Sequence, residues 1–96
     1  MADDIRLDET ETKGRYWIRA ADGSEAEMTF TKSGSSTVII DHTNVPDAFR
    51  GQEVGLKLVE RGVADARAAG RKIIPLCPFA AAQFRRHPEW ADVLKG

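Results

Sequence analysis

Residues 50–55 read Arg-Gly-Gln-Glu-Val-Gly and lie between a β-rich segment that ends in Val45-Pro46 and an amphipathic helical pattern. A helix that begins in a glycine-bearing turn directs unpaired backbone N–H groups and the positive end of its dipole at whatever lies in front of it. Such a site favours an anion, and Arg50 adds a positive charge. The turn therefore predicts a binding site for a phosphate or pyrophosphate group.

Three other side chains are candidates for chemistry. Cys77, the only cysteine, is a candidate proton donor or nucleophile, unless it is simply a small buried side chain between strand and helix. Asp41 and His42 are candidate general bases, or else partners of a neighbouring strand. Because they alternate along a predicted strand, only one is expected to face a cleft. Together with His87 these residues lack the spacing of a metal site.

A polar tail and a meander of strands make up the first half of the chain. Residues 1–14 are polar and without periodicity, which predicts a flexible tail whose last few residues can extend the first strand, whereas residues 15–96 form one domain. Alternating apolar residues predict two strands joined at Asp22-Gly23. A third strand, residues 37–45, contains the continuous apolar run of a central strand.

The second half of the chain reads as helix, strand and helix. Residues 52–69 have an amphipathic helical period, residues 72–76 form a short apolar run, and residues 79–87 form a helix that Pro88 ends. The order β-β-β-α-β-α predicts an α+β fold with a mixed sheet, in which a right-handed crossover makes the last two strands parallel. Ligands collect at the carboxyl ends of such strands, so the anion-binding turn and Cys77 are expected to share one rim.

Composition limits the classes of function. The 96 residues suffice for one domain, and 42% hydrophobic and 30% charged residues are typical of a globular protein. No apolar run reaches the roughly 18 residues of a membrane span, and the acidic start is unlike a signal peptide, so we expect a cytoplasmic location. Residues 1–45 carry a net charge of −4 and residues 46–96 carry +3, which suits a small polyanionic ligand better than a nucleic acid.

These motifs resemble a known family. Residues 45–55 are similar to the acyl-CoA signature of the GNAT superfamily of N-acetyltransferases, in which a valine ends a central strand and a glycine-containing turn opens a helix. His42-Thr43 and residues 71–79, Arg-Lys-Ile-Ile-Pro-Leu-Cys-Pro-Phe, resemble the short single-domain proteins of that superfamily. The resemblance covers residues 15–90, nearly the whole predicted domain.

The resemblance implies a minimal N-acetyltransferase that uses acetyl-CoA as cosubstrate, bound between the third and fourth predicted strands. The implied acceptor is an amine on a protein or a small molecule, and from charge and composition we expect neither nucleic acid nor a membrane as a partner. The candidate catalytic residues are Cys77, as proton donor to the CoA thiolate or as transient acyl acceptor, and whichever of His42 and Asp41 faces the cleft, as base for the incoming ammonium. The candidate cofactor-binding residues are Thr43, Asn44, Val45, Arg50, Gly51, Gln52, Glu53, Val54, Gly55, Cys77, Phe79 and Phe84.

Three departures from the family pattern support an alternative function. Glu53 stands where the first glycine of the signature is usual, which puts a carboxylate beside the pyrophosphate site. Phe84 stands near the place of a tyrosine that protonates the CoA thiolate in most relatives, and the helices that wall the acceptor site are missing. The alternative is a CoA-binding module that acts as a sensor or a regulated subunit without catalysis. A P-loop nucleotide binder is disfavoured, because Leu56-Lys57 follows Gly55 where a P-loop has Lys-Ser or Lys-Thr.

Overall fold

The computed structural model describes residues 5–49 and 51–95 and shows a five-stranded mixed sheet. The strands lie in the order β1-β2-β3-β4-β5, and only β4 and β5 run parallel. This arrangement confirms the predicted α+β fold, in which an antiparallel meander is followed by a parallel crossover. The elements are β1 (Arg6–Glu9), β2 (Lys13–Arg19), β3 (Glu25–Ser33), β4 (Thr37–Asn44), a 3₁₀ helix (Asp47–Phe49), α1 (Val54–Ala69), β5 (Lys72–Pro75), α2 (Pro78–Arg86) and a second 3₁₀ helix (Pro88–Val93).

The prediction of a flexible tail is wrong for Arg6–Glu9, which forms the antiparallel edge strand β1 beside β2. The indole N–H of Trp17 on β2 donates a hydrogen bond of 2.9 Å to Asp8. Only Leu7 of this strand is half-buried, and it packs against the core. Strand β1 is therefore defined by pairing rather than by an apolar face, which is why the alternation of apolar residues gave no signal there. The first four residues of the predicted tail lie outside the described residues.

Alternation along β2 and β3 divides the sheet into two faces. Tyr16 and Ile18 of β2 are buried together with Met28 of β3, so these side chains define the core face. Helices α1 and α2 lie side by side on that face and contribute to one hydrophobic core. The opposite face, which carries Trp17 and Arg15 with a guanidinium-to-ring distance of 5.1 Å, is covered by no described helix. We refer to it as the uncovered face.

The residues of α1 follow the predicted amphipathic pattern. Its buried side includes Leu58, Val59 and Val63, which pack on the core face of the sheet. Gly70 ends the helix in the left-handed conformation, with φ at 71°. Within the described part of the chain, no helix has both the length and the apolarity that crossing a membrane requires.

Candidate functional site

Strands β4 and β5 separate at their carboxyl ends. Their pairing ends at Ile40 opposite Pro75. The N–H groups of Leu76 and Cys77 both donate to the Ile40 carbonyl at 3.1 Å, and the chain then enters α2. Residues 41–44 continue β4 beside β3 only, so among the described residues that edge of β4 has no strand partner. The opening lies where ligands of parallel sheets collect.

A bulge in β4 determines which side chains face the core at this opening. The pairing between β3 and β4 shifts by one residue after Thr29, which leaves Asp41 without an opposite residue. Thr43 lies opposite the buried Met28 and so belongs to the core face, whereas His42 lies opposite Thr29 on the uncovered face.

Asp41 and His42 therefore lie on the same face, and the expectation that alternation brings only one of them to the cleft is wrong. The bulge adds a residue and breaks the two-residue period. Asp41 accepts a hydrogen bond of 2.9 Å from the Thr31 hydroxyl on the uncovered face. Both side chains are exposed. The structure places them across the sheet from the helices rather than beside Cys77.

Cys77 is the N-cap residue of α2 and faces the core side of the opening. Its side chain is 6% exposed, and Sγ lies 3.3 Å from the Thr43 hydroxyl, to which the thiol donates. Burial by itself raises the pKa of the thiol, but once the proton is lost the Thr43 hydroxyl and the backbone N–H groups of Ala80 and Phe79 donate to the sulfur and favour the thiolate. Together these contacts hold the pKa of Cys77 below its ordinary value. This contact places Cys77 beside the carboxyl end of β4, the strand from which the predicted anion-binding turn leaves, and a rim shared by that turn and the thiol stays a prediction.

A groove of about 420 Å³ lies between the start of α1 and the side of α2, and we call it the α1–α2 groove. Six of its lining residues belong to the predicted cofactor-binding set: Val45, Gly51, Glu53, Val54, Gly55 and Phe79. Five lie outside that set: Phe49, Leu56, Gln83, Arg86 and His87. Gln83 and Arg86 share one side of α2 with Phe79, because residues four and seven apart lie on one helix face, and His87 is the C-cap residue of the same helix. The spacing groups Gln83 and Arg86 with Phe79 in the sequence, but which side of α2 faces α1 depends on how the helices pack.

The turn before α1 is held in left-handed backbone conformations. Gly51 has φ at 80°, and Glu53 is the one described non-glycine residue with positive φ, at 54°. Glu53 is the N-cap residue, and its carbonyl accepts the Lys57 N–H at 3.1 Å. The N–H groups of the first turn have no acceptor within the helix and lie at the groove. The turn thus presents unpaired N–H groups at the groove together with a strained acidic residue, and anion binding there stays a prediction.

Gly55 keeps the groove open between its two walls. A Cβ at this position would lie 2.7 Å from Phe79 Cζ and 3.4 Å from Val45 Cγ2. Both side chains are partly exposed at the groove. Glycine therefore allows Phe79 of α2 to approach the first turn of α1.

Two basic side chains at the end of α2, Arg86 and His87, line the groove. The guanidinium of Arg86 forms no hydrogen bond or ion pair with residues 5–49 or 51–95, so it is available to an anion. His87 stacks on Trp90 with ring centroids 4.2 Å apart, and its Nδ1 lies 2.9 Å from the Glu89 carboxylate. Three His, Cys, Asp or Glu side chains do not converge anywhere in the described part of the chain to hold a metal ion.

The remaining predicted residues do not line the groove. Phe84 is buried and packs edge-on against Trp90, with centroids 5.2 Å apart. Asn44 and Gln52 are exposed, and Gln52 donates its N–H to a turn carbonyl at 3.1 Å. Arg50, predicted to add charge to the anion site, lies outside the described residues.

The chain is similar to known proteins in both sequence and structure. The sequence profile of the GCN5-related N-acetyl-transferase family matches residues 15–93. A GCN5-like protein from Staphylococcus aureus, whose structure was determined in solution by NMR, has a TM-score of 0.73 and 32% sequence identity, over 98% of this chain and 91% of that one. No curated protein matches the chain.

Proposed function

Because the chain belongs to the GCN5-related N-acetyltransferase family, we propose that it transfers the acetyl group of acetyl-CoA to an amine. The observation that carries this proposal is the α1–α2 groove, which joins the start of α1 to Val45, the residue just beyond the open edge of β4. Cys77 does not line the groove itself. In our proposal the ligand places its phosphates at the helix, and its reactive end extends past Val45 to the opening between β4 and β5, where Cys77 contacts Thr43.

The residues of the groove suit most parts of CoA. The free N–H groups at the start of α1 and the unpaired Arg86 offer donors to the phosphates. Phe49, Leu56 and Phe79 offer apolar surface to the pantetheine arm and the adenine. The carboxylate of Glu53 is the exception, because it lies at the same groove and repels phosphate.

The reaction requires the amine nitrogen to form a bond with the thioester carbonyl carbon as the carbon–sulfur bond breaks. In our proposal a backbone N–H near Val45 polarises the carbonyl oxygen. The Cys77 thiol donates its proton to the departing CoA thiolate, because it faces the opening at the end of β4. Cys77 then recovers a proton from solvent. This role replaces the tyrosine that most relatives use, for which Phe84 offers no donor.

The acceptor approaches from the uncovered face in this proposal, since the helices and the groove occupy the core face. His42 and Asp41 lie on the uncovered face at the open end of β4. His42 takes the proton that the ammonium releases, directly or through water, and Asp41 offers negative charge to the amine. No described helix walls this face, so the acceptor is an amine on a protein or a small molecule that needs no enclosed site.

The second candidate function is a CoA-binding module without catalysis, which the buried Phe84, a side chain with no proton to donate, favours. Calorimetric titration with CoA, combined with an assay for acetyl transfer, separates the two functions. The enzyme binds CoA and turns over acetyl-CoA, whereas the module binds CoA without turnover. Failure to bind CoA at all would contradict both.

Changing Glu53 tests the strain and the charge separately. We expect Glu53→Gly to raise the free energy of unfolding by about 1 kcal/mol, because glycine adopts the left-handed conformation without a Cβ clash. We expect both Glu53→Gly and Glu53→Gln to tighten CoA binding about tenfold at low salt, since each removes the charge beside the phosphates. Only the glycine variant should gain stability. Equal CoA affinity in the wild type and both variants would mean that the phosphates do not lie at this turn.

Adding a methyl group at Gly55 tests whether the groove is the binding site. We expect Gly55→Ala to weaken CoA binding about tenfold, because the new Cβ pushes Phe79 into the groove. Gly62→Ala on the same helix is the control, because the one close contact of its Cβ would be with the flexible end of Met28, at 3.0 Å, and Tyr16 Cε2 would lie at an ordinary 3.9 Å. Calorimetry on both variants measures the effect. Wild-type affinity in Gly55→Ala would place the ligand elsewhere.

A further inference from the structure

A second cavity of about 340 Å³ lies between the second half of α1 and the sheet, away from the α1–α2 groove. Met28, Phe30 and Ile40 form its apolar floor, and all three are almost fully buried. On the helix side it is lined by the short side chains of Ala66 and Ala69. The two cavities share no lining residue. A cavity of this size with apolar walls accommodates a small organic ligand.

Three charged residues line the cavity, and two of them are neutralised within the protein. Glu9 is ion-paired with Lys32 at 2.6 Å, and Asp65 is ion-paired with Arg61 at 3.2 Å. Arg71 is half-buried and its guanidinium forms no hydrogen bond or ion pair with any residue that the structure describes. The cavity therefore combines an apolar floor with one cation whose charge is not balanced by a neighbour.

We propose that this cavity binds a monocarboxylate with an apolar body, of the size of a medium-chain fatty acid. The apolar body lies on the floor formed by Met28, Phe30 and Ile40, and the carboxylate pairs with Arg71. A guanidinium offers two parallel N–H donors that match the two oxygens of a carboxylate. The apolar floor excludes a simple inorganic anion as the preferred ligand, because such an ion leaves that surface unfilled.

The proposal is independent of acetyl transfer, since it rests on residues outside the α1–α2 groove. It connects to that groove through one helix. The cavity is lined by the second half of α1, and the N-terminus of the same helix contributes the proposed phosphate site. A carboxylate bound to the folded protein also stabilises it by mass action, so thermal unfolding reports binding.

Three probes that share an eight-carbon chain separate the contributions of charge and apolar surface: octanoate, octylamine and 1-octanol. Two variant pairs localise the site. Ala69→Phe fills the mouth of the cavity, and Ala64→Phe changes an exposed alanine on the same helix outside it. Arg71→Gln removes the cation, and Arg85→Gln removes an exposed arginine elsewhere. Calorimetry and thermal unfolding are recorded for each.

We expect octanoate to bind and to raise Tm, with octylamine at least about tenfold weaker. Arg71→Gln should weaken octanoate about tenfold and leave 1-octanol unchanged, and Ala69→Phe should abolish binding of all three probes. Both control variants should behave as wild type. The proposal is overturned if octanoate does not bind, if octylamine binds as tightly as octanoate, or if Arg71→Gln retains wild-type affinity. If Ala69→Phe does not fold, the comparison of Arg71→Gln with Arg85→Gln still tests the proposed carboxylate site.

Discussion

Replacing Cys77 by alanine is expected to lower kcat for acetyl transfer by about 100-fold, with little change in KM for acetyl-CoA. The thiol faces the opening where β4 and β5 separate, 3.3 Å from the Thr43 hydroxyl and at the N-terminus of α2. In our proposal its proton is needed only as the CoA thiolate departs, so its loss affects the chemical step more than binding. Steady-state kinetics with a saturating amine measures the effect.

A structural role for Cys77 predicts a different result. The side chain is almost fully buried, and alanine leaves a small gap between strand and helix. If the thiol only fills space, Cys77→Ala should lose some stability but keep its turnover once folded. Unchanged kcat in a folded Cys77→Ala protein would remove the thiol from the chemistry.

The pH dependence of kcat gives an independent readout of the same thiol. The contacts with Thr43 and with the N–H groups of Ala80 and Phe79 lower the pKa of Cys77. Only the protonated thiol donates, so kcat should fall as pH rises through this lowered pKa, at a lower pH than an ordinary cysteine would give. In Cys77→Ser the hydroxyl keeps its proton, and the fall should disappear. An identical alkaline limb in Cys77→Ser would assign the titration to another group.

We expect Gly14→Ala to lower the free energy of unfolding by about 2 kcal/mol. Gly14 lies on β2 opposite Phe30, and a Cβ there would be 2.0 Å from Phe30 Cζ. The ring is only 4% exposed and packs on Tyr16 with centroids 5.4 Å apart, so it cannot move out of the way without disturbing the core. Strand β2 is paired on both sides, which holds its backbone in place.

Urea unfolding measures this loss, with Gly62→Ala as the matched control. At Gly62 the close contact of an added Cβ is with the flexible end of Met28, Tyr16 lies at an ordinary contact distance, and alanine is a better helix former than glycine. We therefore expect Gly62→Ala to unfold close to the wild-type midpoint. A wild-type midpoint for Gly14→Ala would show that the Phe30 ring does not lie over β2 in solution.

The sequence predicted the elements whose apolar residues follow a regular period. The prediction failed where no such period exists or where a bulge interrupts it. The alternation of Tyr16 and Ile18 and the amphipathic spacing of α1 predicted β2 and the crossover helix correctly. Strand β1 escaped prediction because its single partly buried residue, Leu7, makes no pattern. The faces of Asp41 and His42 could not be predicted, because a one-residue bulge leaves no mark on composition.

The candidate site was predicted to a similar extent. The turn before α1 can be recognised in the sequence from Gly51 and Gly55. Gly51 adopts a positive φ and Gly55 allows the close approach of Phe79, and both require glycine. The contribution of α2 depends on how that helix lies against α1, which local sequence does not encode. Arg86 and Gln83 therefore entered the groove only when the packing of the two helices was known.

Acetyl transfer itself is the most direct test of the proposed function. The purified protein is incubated with acetyl-CoA and a panel of amines that includes lysine-containing peptides, polyamines and small primary amines. Free CoA is measured by its thiol, and mass spectrometry records the acetylated product. We predict that at least one amine gains an acetyl group in step with the release of CoA, and that Cys77→Ala and Gly55→Ala are slower. Bound CoA without an acetylated product across the whole panel would contradict the enzyme and leave the binding module.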